Sequence, residues 1–203
     1  MKPGSRALGV AESYSGAARA PTDDADDAHF STDPSPESVL CGAVVRADRV
    51  VDGLAFETCA VGGDDATDAI DSLYASLDRE DVRYLLVSGI APAWFNLVDI
   101  RRLAAALDRP VLSVSFEESE GLESALTEQF SGAALDRRLA VYRAAPPRRP
   151  VEVNGETVFV RAAGCDDDEA ARVVRGFTPS GGRPEPIRVA RMAARAARRF
   201  AGD

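Results

Sequence analysis

The side chains that offer chemistry are carboxylates at three places: Glu12, the pair Asp64-Asp65, and Asp99, which follows Asn96 by three positions. Carboxylates that converge from separate elements hold Mg2+ or Mn2+. Such a metal polarises a phosphate and lowers the pKa of the attacking water. On that reading Glu12, Asp65 and Asp99 form the catalytic set, with Asp64, Asp65 and Asp99 as metal ligands. Each also has a second reading. Asp64 and Asp65 stand before an apolar-periodic run and suit the first turn of a helix. Asn96 and Asp99, one helical turn apart, serve equally as a capping or hydrogen-bonded pair.

Other chemistries find less support. Ser88-Gly89 is not a G-x-S-x-G elbow, and His29 is the only histidine, so acyl transfer and a histidine triad lack their parts. Gly62-Gly63-Asp64 matches neither a dinucleotide fingerprint nor a P-loop, and no organic cofactor is expected. Cys41, Cys59 and Cys165 are widely spaced, without a C-x-x-C pair, and read as reduced, mostly buried thiols of a cytoplasmic protein.

Cations collect at the other end of the chain. Residues 1–136 carry 10 basic and 25 acidic side chains, whereas residues 137–203 carry 14 arginines and 8 acids. An acidic body with a basic tail points to an anionic partner, a nucleic acid or nucleotide, or to pairing between the halves. Arg188, Arg191, Arg195, Arg198 and Arg199 fall on one side of a helical pattern. The expected ligand contacts are Ser88, Asn96, Arg188 and Arg191. The net charge is −9 with Lys2 as the only lysine, a composition suited to a salt-rich solvent. No run approaches the about 18 apolar residues of a membrane span.

The elements that must position these groups follow from the apolar pattern. Arg6–Val10 is a short strand. An Asp-, Pro- and Ser-rich stretch, 18–38, which contains His29, is expected to be a mobile loop. Val39–Arg46 and Val50–Val61 form an antiparallel hairpin. A helix follows, with Ile70, Leu73, Tyr74 and Leu77 inward. Tyr84-Leu85-Leu86-Val87 is a strand buried on both faces. A helix is expected from about Phe95 to Leu107, then a strand at Val111–Ser115, then helices over Glu117–Phe130 and Leu135–Arg143. Asn154-Gly155 centres a late hairpin. Asp166–Arg175 and Pro184–Phe200 read as helices. Three antiparallel strands leading into parallel βαβ units make an α/β, three-layer, ribonuclease H-like mixed sheet, with a late hairpin and a C-terminal helix. The expected organisation is one domain over 1–203. Ligands in such sheets sit beyond the carboxyl ends of central strands, which places Ser88 to Asp99 at the cleft.

The chain resembles an uncharacterised archaeal family related to endonuclease V. The resemblance is carried by Leu8-Gly9-Val10, by Val44-Val45-Arg46 with Asp52-Gly53, and by Gly63-Asp64-Asp65-Ala66-Thr67. Ser88-Gly89-Ile90, Phe95-Asn96-Leu97-Val98-Asp99-Ile100, Arg109-Pro110-Val111 and Pro184-Glu185-Pro186-Ile187-Arg188-Val189-Ala190 continue it. It implies a ribonuclease H-like fold. Endonuclease V uses magnesium to cut nucleic acid near deaminated bases. The resemblance implies an Asp where this chain has Ala11, a carboxylate near Asp64 or Asp65, and another acid where Ser88 stands. The leading expectation is therefore a nucleic-acid- or nucleotide-binding protein with a depleted metal-carboxylate site. The alternatives are a magnesium-dependent nuclease using Glu12, Asp65 and Asp99, or a non-catalytic interaction subunit.

Overall fold

The computed structural model describes residues 1–13 and 37–202. His29 and most of the acidic stretch 18–38 lie outside those residues; Glu37 and Ser38 open a strand. The strands are β1 (Arg6–Ser13), β2 (Glu37–Arg46), β3 (Val51–Ala60), β4 (Val82–Ser88), β5 (Val111–Ser115), β6 (Arg149–Val153) and β7 (Glu156–Ala163). The helices are α1 (Ala66–Leu77), α2 (Pro92–Phe95), α3 (Ile100–Leu107), α4 (Glu123–Gln129), α5 (Gly132–Ala144), α6 (Asp167–Gly176) and α7 (Glu185–Gly202).

One sheet of order β3-β2-β1-β4-β5-β7-β6 runs through the molecule. β1, β4 and β5 are parallel neighbours at its centre. β2 and β3 continue it antiparallel on one side, β7 and β6 on the other. The ribonuclease H-like mixed sheet expected from strand order is the one observed. Alternation along β1 divides its side chains between two layers. Leu8 and Val10 join Ile70 and Leu73 of α1 and Ile100 and Leu103 of α3. Ala7 joins Val173 and Val174 of α6 and Ile187 of α7, and Ala11 packs with Ala190 of α7. Each fully buried Leu or Ile in these layers stabilises by about 1.5–3 kcal/mol. The small residues on the second face let α7 lie close. A Cβ on Gly9 would stand 2.1 Å from the Pro186 carbonyl carbon, so only glycine admits that approach.

Two helix starts differ from the sequence reading. The helix expected from Phe95 begins at Ile100. Before it, Ala93, Trp94 and Phe95 occupy left-handed backbone at φ 45°, 55° and 60°. That is a strained turn for residues with a Cβ. The helix expected from Glu117 begins at Glu123, after Gly121 at φ 125°. Among the described residues, no helix is long and apolar enough to cross a membrane.

Candidate functional site

At the start of α1 the polar groups are consumed by structure. Asn96, fully buried, donates from Nδ2 to the Ala60 carbonyl at 2.9 Å and to Asp65 Oδ1 at 2.6 Å. Its Oδ1 accepts from the Ala66 amide at 2.9 Å. Asp65 also accepts from the Ala60 amide, at 3.1 and 3.2 Å to its two oxygens. The first free N–H of α1 is thus capped from another element, by Asn96 rather than by Asp65. Thr67 Oγ1 accepts from the Asp99 amide at 3.0 Å. Asp99 Oδ1 caps α3 by accepting from the amides of Arg101 and Arg102 at 3.1 and 2.9 Å. Asp64 faces outward, with Arg137 Nε 3.3 Å from its carboxylate.

The left-handed turn beside this clamp is held from outside. Arg138, only 6% exposed, donates to the carbonyls of Gly62 at 2.5 Å, Gly63 at 2.9 Å, Ala134 at 3.1 Å and Phe95 at 3.3 Å. Its guanidinium also lies 3.9 Å from the centroid of Phe130, whose ring packs against Trp94 and Phe95. Burial lowers the Arg138 pKa. Sequence reasoning missed Arg138 because it is the one buried residue of α5, where an inward apolar side chain is the ordinary expectation.

Past the carboxyl ends of β4 and β5 the balance reverses. A cavity of about 380 Å3 is lined there by Ser88, Gly89, Ser113, Ser115, Phe116 and Tyr142, together with Arg148, Arg161, Arg183 and Arg191. Glu117 is the carboxylate in its lining. Arg148 is fixed by Ser115 Oγ at 3.1 Å and by the Phe159 ring at 4.0 Å. Arg161 is fixed by the Tyr142 hydroxyl at 3.2 Å and the Pro146 carbonyl at 2.5 Å. Arg183 lies 3.8 Å from the Phe116 ring centroid, and its buried Nη1 has no hydrogen-bond partner among the described residues. Burial, then the charges of Arg191 and Arg195, lower its pKa. Glu12, near the end of β1, accepts from Ser38 Oγ at 3.2 Å. Burial raises its pKa, opposed by the Ser38 hydrogen bond and by Arg191 and Arg195.

Of the residues singled out from sequence, Asp65 and Asn96 are in direct contact, whereas the Asp99 amide donates to Thr67 and its carboxylate caps α3. Ser88 and Arg191 share the cavity wall. Arg188 turns to Glu185, with contacts of 2.5 and 2.7 Å. Arg148, Arg161 and Arg183 were missed because they lie on a linker, a strand and a Gly-Gly-Arg-Pro hinge. The hinge held the one usable signal, an arginine fixed between glycines and proline.

This arrangement does not fit a divalent cation held by converging carboxylates. Asp65 and Asp99 spend hydrogen-bonding capacity on backbone amides. Ser88 supplies a neutral hydroxyl at the end of β4, and Ala11 supplies nothing. Among the described residues, no group of three His, Cys, Asp or Glu side chains is placed to hold a metal.

The sheet order, the crossing α7 and the cleft at the carboxyl ends of β1, β4 and β5 define a ribonuclease H-like α/β protein. Residues 24–198 match the family model described as endonuclease dU, and the chain belongs to that family. The UPF0215 protein of Pyrobaculum aerophilum is 35% identical over 164 residues, covering 80% of this chain and 87% of that protein. A crystal structure of a protein of unknown function from Archaeoglobus fulgidus superposes with a TM-score of 0.76 at 23% identity, covering 95% of this chain and 97% of that one. Endonuclease V of Ciona intestinalis, in complex with a DNA containing inosine followed by a ribo-adenosine, superposes with a TM-score of 0.60 at 14% identity, covering 97% and 87%.

Proposed function

We propose that this chain binds nucleic acid or a nucleotide in the arginine-lined cleft, with weak or no strand scission. The observation that carries this reading is the cavity beyond Ser88 and Ser115, where Arg148, Arg161, Arg183 and Arg191 converge beside small hydroxyls and two aromatic rings. Guanidinium groups bind phosphate through paired N–H donors, and the rings and hydroxyls suit a base and sugar. The family name supports uracil-containing DNA as the first ligand to test, and the Ciona complex supports inosine-containing DNA. The acidic, lysine-poor composition supports a salt-rich cytoplasm as the working solvent.

Fluorescence anisotropy in molar potassium chloride tests the reading. Oligonucleotides containing uracil or inosine are expected to bind more tightly than an unmodified control. Equal binding of all three overturns the deaminated-base part, and no binding of any overturns the nucleic-acid part.

The family name also supports a second reading, strand scission, for which the sequence nominates Glu12, Asp65 and Asp99 with magnesium or manganese. It expects metal-dependent cutting of labelled DNA or RNA that is lost in an Asp65→Asn, Asp99→Asn double variant. Unchanged cutting by that variant rejects it.

A further inference from the structure

Resting on the reading of the cleft as a nucleotide site, we infer that Arg183, Arg191 and Arg195 form a phosphomonoester site at its mouth. The ligand is then a nucleotide presenting a terminal phosphate, either free or at the end of a strand. Arg183, Arg191 and Arg195, with Arg188 and Met192, line a groove of about 380 Å3 along α7. Arg183 and Arg191 also line the neighbouring cavity, so groove and cavity lie side by side. The three guanidiniums crowd one another, yet none forms an ion pair among the described residues. One turn away, Arg188 does, with Glu185 at 2.5 Å.

The number of free oxygens decides between phosphate classes. Arg183, Arg191 and Arg195 line one groove, so three guanidinium forks are open to one anion. A phosphodiester has two unesterified oxygens and leaves one of the three forks without an acceptor. A phosphomonoester brings about −1.5 to −2 near neutral pH, with more acceptor oxygens. Rigidity points the same way. Arg183 stands against Phe116, and its buried Nη1 has no partner among the described residues, so its fork is oriented before a ligand arrives. Molar salt screens exposed charges beyond about 3 Å, which favours a desolvated, directional contact over a diffuse basic surface.

The test is calorimetric titration at constant molar potassium chloride. The probes are inorganic phosphate, deoxyuridine, deoxyuridine monophosphate, and one uracil oligonucleotide with a phosphorylated or a hydroxyl terminus. Inorganic phosphate and the monophosphate are expected to bind, and the monophosphate to outbind deoxyuridine. Arg183→Gln should weaken both phosphate ligands roughly tenfold, the loss of one charge-assisted contact. Arg195→Gln, an exposed change on α7, should weaken them in the same direction, which keeps the test valid if Arg183→Gln disturbs folding. Arg149→Gln, on the far edge strand, should change nothing. Preference for the phosphorylated oligonucleotide over the monophosphate assigns the strand end, and the reverse assigns the free nucleotide.

Equal binding of phosphorylated and hydroxyl oligonucleotides overturns the inference and leaves nucleic-acid binding standing. Failure of inorganic phosphate and the monophosphate to bind also overturns it. Arg183-dependent binding of the monophosphate with no oligonucleotide binding upholds it, and removes the nucleic-acid reading instead.

Discussion

The start of α1 and the flank of α7 lie at the same end of one sheet and treat their polar groups in opposite ways. At α1, Asn96 makes three hydrogen bonds, Asp65 accepts three, and Asp99 accepts two amides. At α7, Arg183, Arg191 and Arg195 stand together with no carboxylate joined to them in an ion pair among the described residues, and one guanidinium nitrogen is buried without a partner. A polar group already satisfied by the fold holds the fold, and its removal costs stability. A desolvated cation left unsatisfied costs stability where it stands and regains it when a ligand arrives. Position at the cleft therefore does not separate the two regions; hydrogen-bond satisfaction does.

Substitutions test this division, and the largest effect is expected at Arg138. Arg138→Ala strands carbonyls of Gly62, Gly63 and Phe95 and releases the left-handed turn. A loss of about 3–5 kcal/mol in urea unfolding is expected; a loss within about 1 kcal/mol would show that the turn is held by other means. Asn96→Ala removes three buried hydrogen bonds and should cost about 2–4 kcal/mol, while phosphate affinity of the folded fraction stays unchanged. Asp99→Ala removes a helix cap and should cost about 1 kcal/mol by the same measurement. If Asp99→Ala is neutral to stability and abolishes ligand binding, Asp99 belongs with α7 rather than α1.

The smallest effect sits between the regions, at Glu12. Burial raises its pKa above the ordinary 4.5. Its contribution to stability is therefore full below about 4.5 and is lost as pH rises through the raised value. Glu12→Gln, which cannot ionise, should melt higher than the parent at neutral pH, with the difference gone by about pH 4. A constant difference across that range would assign the effect to packing.

The sheet was largely legible because its signals are local. Apolar runs bounded by glycine gave β4 and β5, Asn154-Gly155 gave the late hairpin, and the strand order followed from connection rules. Helix starts were less legible. Nothing local in Phe95-Asn96-Leu97 shows that Asn96 is drawn off to cap α1, which holds the chain out of helix until Asp99. The site was legible only in part. Carboxylate spacing shows which acids fall near the cleft, not whether backbone amides already occupy their oxygens. The arginine cluster forms across a hinge, a helix and a strand, so no spacing along the chain displays it.

The proposed site places ligand affinity in the arginines of the α7 flank. It is tested most directly by comparing the parent with an Arg183→Gln, Arg191→Gln double variant for uracil-oligonucleotide binding in molar potassium chloride. Melting temperature is recorded for both. Roughly a hundredfold weaker binding is expected, from two lost charge-assisted contacts, with the melting temperature held or raised. Undiminished binding by the double variant would contradict it.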